Sequence, residues 1–257
     1  MQTESLKIFL TKLIDYAGLF PPANFELEDA LKKYRKYIEC DDNWIISQFI
    51  IPVNRFSTIN ENLMELFDEN YPLNLSLLSG DISLDKDKIK LFQNQYPQKV
   101  KLSGLETKII DINNLDILLE STIKTQKDYS FNLATFFELP YCDNWIANMK
   151  IVVNSLSLFN NKHNLKYGFK LRCGGVKANM FPEIELIANA ILECIKYNIP
   201  MKFTAGLHHP IRHYNDSVQT KMNGFFNIFL GGMIAKKYKL ECDKLIEILM
   251  DESAENF

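Results

Sequence analysis

Two segments about thirty residues apart constrain the fold more than anything else in the chain: Tyr167-Gly-Phe-Lys-Leu-Arg-Cys-Gly-Gly175 and Pro200-Met-Lys-Phe-Thr-Ala-Gly-Leu-His-His-Pro210. Each starts as a short apolar run, as a buried strand does, and turns abruptly into cations, glycines and histidines. A stretch with helical character, Ile184 to Tyr197, lies between them. Strand, helix, strand with polar residues at the strand ends is the βαβ pattern of a parallel sheet. Such sheets bind ligands outside the carboxyl ends of their strands. The pattern therefore predicts that Lys170, Arg172, Lys202, His208, His209 and His213 cluster.

The rest of the chain continues the alternation. Apolar runs at 14–20, 44–51, 73–78, 99–103 and 129–138 read as strands, before those at 168–172 and 200–204. Between them, helical spacing predicts helices over 4–13, 26–38, 57–67, 84–95, 113–123, 143–158 and 184–197, with a terminal helix over 243–250. Ser57 and Asp143 are the expected N-caps of two of these helices, and Asn113 or Asn114 of a third. The segment Met222–Ala235 reads two ways, as a short eighth strand feeding a helix or as one apolar helix with Gly231-Gly232 at a close contact. Linkers are short and no hinge-like stretch marks a boundary. A single (β/α)8 TIM-barrel domain over residues 1–257 fits best, with its eighth strand undecided. A doubly wound open sheet is the alternative, but Pro21-Pro22 follows the first strand where a dinucleotide fold needs GxGxxG.

Bulk chemistry narrows the class. A net charge of −3 gives no reason to expect nucleic acid. Cys40, Cys142, Cys173, Cys194 and Cys242 stand singly, without the CxxC spacing of a zinc ribbon or the density of a disulfide framework. The first twenty residues lack a basic leader region, and no run reaches the ~20 apolar residues that cross a bilayer. A cytoplasmic protein without membrane association is expected, with homo-oligomerisation open.

The strand ends carry more charge than core filling needs. Alternation puts Phe169 and Leu171 on one face of their strand and Lys170 and Arg172 on the other, toward a barrel interior. Burial disfavours a lysine's charge, so a lysine placed there can act as an amine nucleophile or a base. The structural reading is that Lys170 and Arg172 simply pair with Glu138 or Asp15. Gly174-Gly175 follows at once, where backbone amides can approach an anion, or where a tight turn merely needs glycine. The segment His208-His-Pro-Ile-Arg-His213 holds three of the chain's four histidines. His209 and His213 would share a helix face if Pro210 were the first helical residue. They could then serve as metal ligands with Glu138 or Asp15, or as a base and hydrogen-bond donors. Arg212 joins the candidates for binding an anion. The histidine spacing is not a firm ligand pattern, so no metal or cofactor is assigned.

The phrases DYAGLFPPA, FKLRCGG and KFTAGLHHPIRHY resemble those of an uncharacterised bacterial protein family. That resemblance spans nearly the whole chain and implies no activity. The two opening segments are also similar, over about forty residues, to deoxyribose-phosphate aldolase, a Schiff-base aldolase on a barrel. This resemblance implies that Lys170 is the imine-forming lysine and Lys202 the second lysine that lowers its pKa. The chain departs from that family in three places. Arg172 stands where a small hydroxyl residue is expected, His208-His209 has no counterpart, and Glu106 is a loose match for the acid on strand four.

The expected function is an enzyme acting on a small anionic carbonyl metabolite, a class I aldolase-like lyase. Lys170 would attack, Lys202 assist, and Arg172 with Gly174 and Gly175 hold the anion. Glu138, His208 or His209 would move protons, and Asp15 would anchor a cation. The alternatives are a metal-dependent hydrolase or lyase using His208, His209 and His213, and a non-catalytic barrel whose cations are tied up in ion pairs.

Overall fold

The computed structural model describes residues 4–257; the start of the segment read above as lacking a leader, residues 1–3, lies outside them. Its internal contacts gather in two units. The first holds residues up to 107 with 117–135, and the second holds 108–116 with 136–257.

The first unit alternates helix and strand as its apolar pattern demands. Helix α1 (Glu4–Leu10) precedes β1 (Ile14–Tyr16), α2 (Leu27–Glu39), β2 (Ile46–Pro52), the single-turn α3 (Glu61–Met64), β3 (Leu73–Leu78), α4 (Ile82–Gln95) and β4 (Val100–Lys108). Helix α5 (Leu115–Asp128) falls mostly in this unit. The strands pair in chain order and all are parallel. One strand face is fully buried under the helices: Phe49 and Ile51 of β2 and Leu73, Leu75 and Leu77 of β3 pack with Leu31 and Tyr34 of α2 and with Ile89 of α4. The other face mixes polar Gln48, Asn74 and Ser76 with Ile50 and Leu78. There Ser76 donates to the Glu106 carboxylate at 2.8 Å, and the Gln48 backbone N–H donates to Asp15 at 3.0 Å.

Three expectations shift here. Ser57 does not cap a helix, because Val53 and Phe56 are drawn into the core and the turn around them is 3-10. Asn60 caps α3 instead, accepting from the Leu63 N–H at 3.0 Å. Asp111, not Asn113 or Asn114, caps the turn leading into α5. Strand β4 runs five residues beyond the expected Ser103, to Lys108, with a register irregularity where Leu102 and Gly104 face successive residues of β3. Glu106 thus lies inside a strand.

The second unit carries β5 (Ala134–Glu138, from Phe136 onward), α6 (Trp145–His163), β6 (Gly168–Arg172), α7 (Ile184–Lys196) and β7 (Met201–Thr204). Its strands are again parallel and in chain order. Phe169 approaches Trp145 of α6, and Leu171 is equally buried. Beyond β7 the alternation stops. The next strands, β8 (His213–Asn215) and β9 (Thr220–Met222), form a small antiparallel hairpin. No eighth parallel strand occurs among the described residues. Met222–Ala235 resolves into the end of that hairpin followed by α8 (Phe225–Tyr238), whose Gly231 lies against Leu245 and Ile248 of α9 (Cys242–Met250). Asn144, not Asp143, occupies the N-cap of α6. The chain is therefore a mixed α/β protein of parallel strands alternating with helices. Among the described residues no helix is long and apolar enough to cross a membrane.

Candidate active site

Strand pairing lines up three ionisable residues in the second unit. Glu138 of β5 is in register with Lys170 of β6, and Lys170 with Lys202 of β7. Register partners on parallel strands project to the same face. That face is the one turned away from the helices, since the neighbouring residues Phe169 and Phe203 meet Trp145 of α6 and Phe229 of α8. Lys170 therefore does not enter the helical layer.

The row is electrostatically built. Lys170 Nζ lies 2.7 Å from a Glu138 carboxylate oxygen, and both residues are buried, at 8% and 5% exposure. Two charges this far from water persist only when paired and hydrogen-bonded. Below this row sits Phe136. Gly168 is its register partner, and a side-chain carbon at Gly168 would fall 2.5 Å from the Phe136 ring and 2.7 Å from the Pro200 carbonyl oxygen. Glycine is needed for that ring to lie across β6. The ring reaches Lys202, whose Nζ is 5.8 Å from its centroid, within cation–π range. Phe136 is thus the floor of the site, a role that sequence reading missed because it looked only for charge.

One step toward the strand ends, Arg172 is in register with Thr204 on the same face. Its Nε donates to the Gly174 carbonyl at 2.9 Å, and its own carbonyl accepts from the Tyr141 hydroxyl at 2.5 Å. Burial is the main cause that pushes the Tyr141 pKa upward, with Cys173 and Glu138 adding to it, so this phenol keeps its proton. Cys173 is fully buried, which raises its thiol pKa and leaves it a poor nucleophile. The turns after β6 and β7 touch: a side chain at Gly174 would strike Phe181 and come within 2.9 Å of the Gly206 Cα. Ala205 and Gly206 both have positive φ, 62° and 72°. For alanine this is strained backbone, of a kind that clusters at functional sites.

The histidine segment follows β7 after Ala205, Gly206 and Leu207. It is not helical, so His209 and His213 do not share a helix face. Their rings meet nonetheless, with centroids 4.2 Å apart and planes near perpendicular. His213 Nδ1 donates to the Ile211 carbonyl at 3.1 Å, and its Nε2 is buried without a hydrogen-bond partner. Packing around the ring and the adjacent His209 lower the His208 pKa. Carbonyls of His209 and Pro210 accept from the Phe225 and Phe226 N–H groups, pinning the segment to the start of α8. Arg212 is tied in as well. It donates to Asn223 at 2.7 Å, lies 3.9 Å from Glu252, and its backbone N–H donates to Asn227 at 2.9 Å. Burial lowers its pKa against the pull of Glu252 and Glu183. The two asparagines, each almost wholly buried, gave no signal in the sequence beyond their place in an apolar run. Among the described residues no three His, Cys, Asp or Glu side chains gather as a metal site.

Asp15 belongs to the first unit, where it receives the Gln48 N–H. Lys101, near the start of β4, is exposed.

Comparison with family models, curated proteins and solved structures finds no match to this chain.

Proposed function

We propose that this protein is a Schiff-base enzyme of the lyase type, acting on a small anionic carbonyl compound from a cytoplasmic (β/α)-barrel frame. The observation that carries the reading is the in-register row Glu138–Lys170–Lys202, with its 2.7 Å buried pair, on the face away from the helices. The carboxylate is placed to take a proton from the Lys170 ammonium. The amine then attacks the carbonyl carbon and a C–N bond forms. A second nitrogen proton passes to the new alkoxide. Glu138 returns its proton to that hydroxyl, the C–O bond breaks and water leaves. The product is a protonated imine, which draws electrons from the neighbouring C–C bond when that bond is cleaved. Lys202, held over Phe136 and in register with Lys170, brings a second amine to the same face.

Reduction with borohydride in the presence of small carbonyl compounds tests this. A stable adduct mapped by peptide mass to Lys170, abolished in Lys170→Ala and insensitive to chelators, is the expected result. No adduct, or one on surface lysines alone, overturns it and favours a non-catalytic protein. The metal-dependent alternative has only the His209–His213 ring contact in its support.

A further inference from the structure

Arg172 is the residue at which this chain departs from the aldolase it partly resembles, and its guanidinium is only partly used. Nε is engaged by the Gly174 carbonyl at 2.9 Å, which fixes the plane of the group. Neither Nη nitrogen makes a hydrogen bond or ion pair with any described residue. Unlike Arg212, it makes no ion pair with a carboxylate and no bond to a side-chain amide among the described residues. The backbone around it is similarly unfinished. Gly174 and Gly206 are buried, yet neither N–H donates to any described residue. Buried backbone amides without a partner are rare, and those in native proteins call for a ligand or water. Thr204 adds a hydroxyl in register with Arg172. A planar cation with a free edge, two amides without a partner and a hydroxyl therefore lie together where β6 and β7 end.

Resting on the Schiff-base reading, we propose that Arg172 clamps the carboxylate of a 2-oxo acid whose carbonyl reacts with Lys170. Spacing selects this class. Lys170 and Arg172 are two residues apart on one face of a strand, a rise of about 6.6 Å. Their side chains leave the strand one pleat apart, so a small molecule whose acid group adjoins its carbonyl can meet both, and the free edge of the guanidinium matches the plane of a carboxylate. Arginine suits the task because its fork meets a carboxylate through two parallel bonds, whereas lysine offers a point charge.

The test traps the purified full-length protein with cyanoborohydride and one of three probes: pyruvate, acetone as its uncharged counterpart, or dihydroxyacetone phosphate. Pyruvate is expected to label Lys170 about ten- to a hundred-fold faster than acetone, the worth of a charge-assisted pair. Arg172→Gln and the charge-conserving Arg172→Lys are both expected to lower that ratio about ten-fold or more. Circular dichroism checks that both variants fold, and the fall in the ratio from wild type to either folded variant decides, because the ketone of pyruvate is intrinsically more reactive than that of acetone. Equal labelling by pyruvate and acetone, a ratio that survives in folded Arg172→Gln, or faster labelling by dihydroxyacetone phosphate overturns the carboxylate clamp while the imine at Lys170 stands. Absence of label at Lys170 with every probe ends both readings.

Discussion

At the scale of the residue, the Lys170–Glu138 pair concentrates the energetics of the site. Both groups lose water on folding, and their attraction offsets that loss only while both are present. Lys170→Met is expected to destabilise the fold by about 3–5 kcal/mol, because Glu138 keeps its buried charge without its ammonium. Lys170→Met with Glu138→Leu is expected to recover most of that loss. Urea unfolding midpoints of the three proteins check this, and a double variant no better than the single one would refute the coupling. Such a pair adds little net stability, because desolvation of both charges opposes their attraction. Alternation along Gly168–Arg172 was enough to read the face of Lys170. That Glu138 pairs with Lys170 was not legible, because register across strands depends on chain far away in sequence.

At the scale of the element, the segment from β7 to α8 is organised by Asn227. Its side chain accepts from the Arg212 N–H and donates to the carbonyls of Ile248 and Asp251, at 2.9, 3.0 and 2.8 Å. One fully buried amide therefore joins the histidine segment to the end of α9. Asn227→Ala leaves a buried N–H and two carbonyls wanting partners, for an expected loss of about 2–4 kcal/mol. Calorimetry measures that loss, and faster amide exchange at Arg212 in the variant locates it; unchanged exchange there would show the tie to be dispensable. The hairpin's second anchor is Lys221 on Glu252. Helical spacing and capping residue types pointed to most helices, yet the cap itself often moved. Ser57 and Asn60 are both good caps, and burial of Val53 and Phe56 decided between them.

At the scale of the whole molecule, protection should follow burial within each unit. Amide exchange is expected to be slowest in β2, β3 and β6, where Phe49, Leu75 and Phe169 have no exposed surface. It should be fastest over 175–179 and 216–219, which are largely open and lie outside the strand ladders. Exchange resolved by mass spectrometry checks the order, and early exchange of β6 would remove the rigid base that the site requires. The amino-acid sequence by itself determined the parallel α/β alternation, since apolar runs and 3.6-residue spacing are local properties that each segment expresses alone. It likewise determined which face of β6 carries Lys170 and Arg172. Only the tertiary structure decided that Glu138, Lys170 and Lys202 share one row, that Phe136 floors it across Gly168, and that a hairpin follows β7 where an eighth strand was open. It also separated Arg172, with a free edge, from Arg212, bound to Asn223. These are outcomes of register and packing between distant segments, and no local pattern encodes them.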